Sequence, residues 1–120
     1  MEYLSTLLVA IVALEHCYIL VLEMFLWTKP RTRKIFGIAT ENVAITKKMA
    51  ANQGLYNGFL AVGLLWSLLH PEPFFALQLK IFFLSCVLVA ALYGGFSVKK
   101  NILLIQGLPA LLALVSLFLV

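Results

Sequence analysis

Glu15, His16 and Glu23 lie inside the stretch ALEHCYILVLEMFLW, residues 13–27, which is otherwise largely apolar. Ionisable side chains in such a run are costly in lipid, so they turn toward protein or trapped water. On a helix turning about 100° per residue, the three fall within about 100° of one another and share a face. Their chemistry is that of cation binding and acid–base work. The carboxylates accept hydrogen bonds or hold a cationic group, and an imidazole carries a proton near neutral pH.

A complementary polar face lies in ANQGLYNGFLA, residues 51–61, where Asn52, Gln53, Tyr56 and Asn57 cluster within about 140° on the same wheel. Beside it run Gly54 and Gly58, a GxxxG pair that lets another helix approach closely. Tyr93 sits in AALYGGF beside the small-residue pairs Ala90/Gly94 and Ala91/Gly95, and Gln106 sits in NILLIQGLPALLAL. Pro109 removes a backbone donor there, so the carbonyl of Ile105 is expected to lose its helix partner. These placements predict one polar pocket in the cytoplasmic half of the membrane, lined by Glu15, His16, Glu23, Asn52, Gln53, Tyr56, Asn57, Tyr93 and Gln106.

The leading functional expectation is binding or transport of a small molecule or ion through that pocket. A membrane-embedded enzyme is the alternative, with a Glu–His pair for proton transfer and Tyr56 at an oxyanion. No nucleophile motif, nucleotide loop or CxxC pair supports it, and no cofactor is indicated. A metal site is a weaker alternative: Glu15, His16 and Glu23 are suitable ligand types, yet neighbours on a helix diverge by about 100°. A structural or interaction subunit without a ligand would assign every polar group to interhelical hydrogen bonding.

The elements that must position these residues follow from composition. Of 120 residues 63% are hydrophobic and 12% charged, whereas soluble domains run nearer half apolar and a quarter charged. Crossing lipid takes roughly 20 apolar residues, and spans of about 4–27, 49–69, 74–97 and 102–120 qualify. The expectation is all-α: a polytopic membrane protein forming one domain over 1–120, an antiparallel four-transmembrane-helix bundle. The turns HPEP (70–73) and VKKN (98–101) are short, and Thr40 is placed to cap the helix that leads into the second span.

Basic residues set the orientation. Lys29, Arg31, Arg33, Lys34, Lys47 and Lys48 lie in the connection 28–48, and Lys99 and Lys100 lie in the third one. The positive-inside rule makes both loops cytoplasmic and both termini external. The net charge of +4 is spread between apolar spans, which argues against nucleic acid. The 29–34 segment suits anionic lipid head groups. The small-residue stripes suit close packing, including a homo-oligomer. Cys17 and Cys86 fall in apolar spans and are read as buried thiols. The first apolar run lacks a basic leader and a cleavage site, so it is read as a retained span.

The blocks EH (15–16), LEMFLW (22–27), NQGLYNGFLAVGLLW (52–66), YGG (93–95) and QGLPALLAL (106–114) together resemble the DUF1304-like family of small bacterial membrane proteins. The likeness runs the length of the chain in order. It implies a four-span protein of the bacterial inner membrane and carries no established reaction. A looser analogy links KKMAANQGLYN to the second span of membrane glutathione-transferase-like enzymes, but the histidine and glutamate of that motif are missing here.

Overall fold

The computed structural model describes residues 2–119, and among these the regular structure is entirely helical. The order is α1 (Glu2–Met24), α2 (Pro30–Phe36), a 3₁₀ turn (Thr40–Asn42), α3 (Val43–Leu69), α4 (Pro73–Ser97) and α5 (Lys100–Phe118). Contacts divide the chain into two compact units. One holds the chain up to Glu15 and from Leu60 onward, and the other holds His16–Phe59.

Three helices, α1, α4 and α5, are long and apolar enough to cross a membrane by length and composition. The sequence predicts four. At 27 residues α3 is longer than any of them, but it is not among the three. Lys47, Lys48, Asn52 and Gln53 occupy its first half, Asn57 lies at its middle, and together they lower its hydropathy. The surfaces of the apolar helices present Phe82, Val89, Leu112 and Phe118 outward. Such a display is untenable in water and ordinary in lipid.

Element ends depart from the sequence reading for local reasons. The first helix stops at Met24, not near residue 27. Past it the ladder widens, with the Leu26 N–H reaching the Val21 carbonyl at 3.1 Å. Trp27 then turns inward and is buried. The third helix begins at Val43, and Ala39 precedes the 3₁₀ turn without any side-chain cap. Thr40 does not cap, because its hydroxyl accepts a hydrogen bond from Arg33 Nη1 at 2.7 Å. Gly37 ends α2 at φ 66°, ψ 36°. The Gly37 N–H reaches Lys34 and the Ile38 N–H reaches Arg33. This paired closure of the last carbonyls needs a left-handed residue, for which glycine carries no Cβ penalty.

In the larger unit the core is built from Val9, Val12 and Ala13 of α1, Leu64 of α3, Leu84 and Val87 of α4, and Ala110 and Ala113 of α5. The start of α5 packs on α4 through small residues. Gly95 faces Leu103, Gly94 faces Ile102 and Gly107 faces Ala91. The α5 ladder opens into a π turn over Leu103–Gly107, where the Leu108 N–H bonds the Leu103 carbonyl. The turn lies directly before Pro109, whose missing donor already interrupts the ordinary i→i−4 pattern.

This core predicts a contrast between two neighbours on α4. Leu84 is fully buried, whereas Phe82 is 61% exposed. In lipid, packing and cavity terms remain although the water-transfer term is weak. Leu84→Ala should therefore cost about 2 kcal/mol or more, and Phe82→Ala should leave thermal unfolding in lipid micelles nearly unchanged. Equal shifts for both would refute the placement of the core.

Candidate functional site

The unit His16–Phe59 brings three of the expected site residues together. Glu23 is buried, at 1% exposure, in the last turn of α1. Gln53 Nε2 donates to its Oε2 at 2.5 Å and Asn57 Nδ2 donates to its Oε1 at 2.6 Å. The two amides are four residues apart on α3, so they project from one face a turn apart.

The glycines explain how the amides reach so far. Gly54 and Gly58 form a stripe one residue round the helix from Gln53 and Asn57. A Cβ on Gly54 would stand 2.7 Å from Met24 Cγ, 3.0 Å from Glu23 Cβ and 3.3 Å from the Leu20 carbonyl oxygen. On Gly58 it would meet Leu20 Cδ1 at 2.5 Å. Bare backbone at these two positions lets α3 approach α1, and the neighbouring amides then meet the carboxylate. The stripe proposed for assembly is thus occupied within the chain.

A second contact set fixes the chain around this triad. Trp27 Nε1 donates to Thr46 Oγ1 at 3.1 Å, and the Thr46 hydroxyl donates back to the Asn42 carbonyl at 2.7 Å. Phe36 packs on Trp27 with ring centroids 5.2 Å apart, and Val43, Ala50 and Ile38 complete a small core. Trp27, of a residue type that suits a membrane interface, is instead clamped inward, and Thr46 is not among the site residues expected from the sequence. The available signal was a threonine four residues beyond Asn42, able to bond back to that carbonyl.

The other expected residues are distributed differently. His16 is buried, two turns before Glu23 and close to the same α1 face. Asn52, Gln53 and Tyr56 are all exposed on α3, and of that polar face Gln53 and Asn57 are the two that bond Glu23. Glu15, Tyr93 and Gln106 belong to the larger unit. Glu15 is half-buried, Tyr93 is exposed on α4, and Gln106 is half-buried inside the π turn. Among the described residues no three side chains of His, Cys, Asp or Glu group closely enough to hold a metal ion. Glu15, His16 and Glu23 fail to do so because adjacent residues diverge and Glu23 lies about 10 Å further along the axis.

The arrangement is chemically one-sided. A carboxylate can only accept, so both amides must present their NH₂ groups to it. The result is a buried acid bonded on both oxygens by uncharged donors.

Comparison with known proteins covers almost the whole of this architecture. The profile described as "Protein of unknown function (DUF1304)" matches residues 10–118. Over 120 residues the chain is 35% identical to "Uncharacterized protein YpaA" of Lactococcus lactis subsp. lactis (strain IL1403), covering 98% of this chain and 99% of that one. No solved structure matches.

The triad predicts non-additive energetics. Asn57→Leu leaves one carboxylate oxygen without its donor and should cost about 1–3 kcal/mol. Adding Glu23→Leu to that variant should cost less than the sum of the single changes, with a coupling of about 0.5 kcal/mol or more. Gly54→Leu should destabilise by about 1–3 kcal/mol through overpacking. Thermal unfolding of the purified variants in lipid micelles tests both. Strict additivity would deny the Glu23–Asn57 link, and a wild-type melt for Gly54→Leu would deny the close approach.

Proposed function

The chain belongs to the DUF1304 family, and we infer that it is a multi-pass protein of the bacterial inner membrane that binds or transports a small cation or hydrogen-bond donor at Glu23. The observation that carries the reading is the buried carboxylate held on both oxygens by neutral amides. A purely structural role would be as well served by apolar residues in place of the acid and both amides. Two amide donors fix its orientation and add no charge, so its affinity for an incoming positive group is retained.

In this reading α3 crosses the membrane as a fourth span, tolerating Gln53 and Asn57 because they are turned to Glu23. Both termini face outward and the connection 28–48 is cytoplasmic, supported by its basic residues and the positive-inside rule. Glu23 then lies near the cytoplasmic surface, because α1 ends one residue later. His16, deeper on the same helix, is placed to pass a proton along that face.

Two measurements test the proposal. In a background without Cys17 and Cys86, cysteine at the exposed position Glu72 should react with an impermeant thiol reagent on intact cells. Cysteine at the exposed position Arg31 should not. The reverse pattern would invert the topology. For the site, purified wild type, Glu23→Gln and His16→Gln are melted with inorganic cations, polyamines and quaternary ammonium compounds. A ligand at about 100 times its dissociation constant stabilises by about 2.7 kcal/mol. Glu23→Gln should fold and lose most of that gain. A cation that stabilises wild type and Glu23→Gln equally is not bound at this carboxylate.

A further inference from the structure

A second cleft in the unit His16–Phe59 has the opposite chemistry. It has a volume of about 480 Å³ and is lined by Thr28, Arg33, Thr40, Val43, Ala44 and Lys47. Two cations and two hydroxyls meet there and no carboxylate lines it. We propose that this cleft binds a phosphate group, that of an anionic phospholipid head group at the membrane surface.

The donor set is organised for an anion. Arg33 Nη1 donates to Thr40 Oγ1 at 2.7 Å, which fixes the guanidinium plane and leaves its other N–H groups to donate. The Thr40 oxygen accepts from Arg33 and keeps its own proton available as a further donor. A planar fork with a hydroxyl beside it matches the oxygens of a phosphate, and Lys47 supplies a second, point-like charge.

The surroundings favour a phosphate carried on an apolar body. Val43 and Ala44 form an apolar wall to the cleft, suited to the glycerol and upper acyl carbons. Thr28 lies four residues past the end of α1, a helix apolar enough to cross a membrane, so this edge of the cleft adjoins the membrane surface. The cleft lies at the start of α3, so a lipid held there would also brace the helix that carries Gln53 and Asn57.

The test uses the purified full chain in phosphatidylcholine micelles, with melting temperature followed as phosphatidylglycerol or inorganic phosphate is added. Phosphatidylglycerol should stabilise the wild type. Arg33→Gln and Lys47→Gln should each weaken its apparent affinity about tenfold or more. Lys34→Gln, outside the cleft in the same basic segment, should weaken it about fivefold at most, the effect of one charge near an anionic surface. Should Arg33→Gln misfold, Lys47→Gln and Thr40→Val carry the comparison, because both positions are exposed. Stabilisation by inorganic phosphate with the same dependence on Arg33 and Lys47 would uphold the phosphate site and identify a free ion as its source. Equal loss in Lys34→Gln and the cleft variants, or no difference between the two lipids, would overturn it.

Discussion

A buried carboxylate at the C-terminal end of a membrane helix has to be satisfied by something, and much of the unit His16–Phe59 follows from how Glu23 is satisfied. Its position is electrostatically adverse, since the last turn of α1 already carries the negative end of the helix dipole. Lipid supplies no donors. The donors come from Gln53 and Asn57, and they reach only because Gly54 and Gly58 let the backbones close. The requirements on α3 are therefore coupled. Amides without the adjacent glycines would stop short of Glu23, and glycines without the amides would bring the helices together over an unsatisfied acid.

The same absence of a hydrophobic force between helices shapes the larger unit. Apolar side chains gain little by leaving lipid for a neighbouring helix, so close backbone approach and van der Waals packing carry the association. Gly94, Gly95 and Ala91 provide that approach on α4 and receive α5 at Ile102, Leu103 and Gly107 respectively. A π turn then sets the helix register just before Pro109. Both small-residue stripes are thus used within the chain, one in each unit.

What could be read from the sequence divides along physical lines. Apolar runs long enough to cross lipid are legible because length and composition alone decide them. The amide and glycine stripes of α3 are legible because a helix repeats nearly every fourth residue, and the structure joins them at Glu23. Residues with two comfortable environments were not legible. Tyr56 and Tyr93 serve a polar pocket or a membrane interface equally well, and the structure exposes both. Trp27 suits a belt or an inward clamp, and only the fold brings Thr46 and Phe36 to it. Pro109 announced a missing donor but not that the ladder would widen upstream. Helical periodicity also placed Tyr56 and Asn52 with Asn57, yet the part of α3 that faces α1 is narrower than its polar face.

The choice of amides over lysines for Glu23 separates two kinds of chemistry within one small unit. Lys29, Arg31, Arg33, Lys34, Lys47 and Lys48 all lie between Glu23 and Gln53 in the chain, so a cation to neutralise the acid was close at hand. The hydrogen-bond partners of Glu23 are neutral instead. A lysine paired with the carboxylate would have cancelled both charges and left neither for a ligand. Amide pairing orients the acid and keeps its acceptor character, while Arg33 and Lys47 remain in a cleft without carboxylates. Lys47 and Gln53 are about 9 Å apart along α3 by helical rise, so one helix carries a residue of the cationic cleft and the amide partners of Glu23 at a fixed separation. In the functions proposed, an anionic head group at the first site would steady the helix that shapes the second.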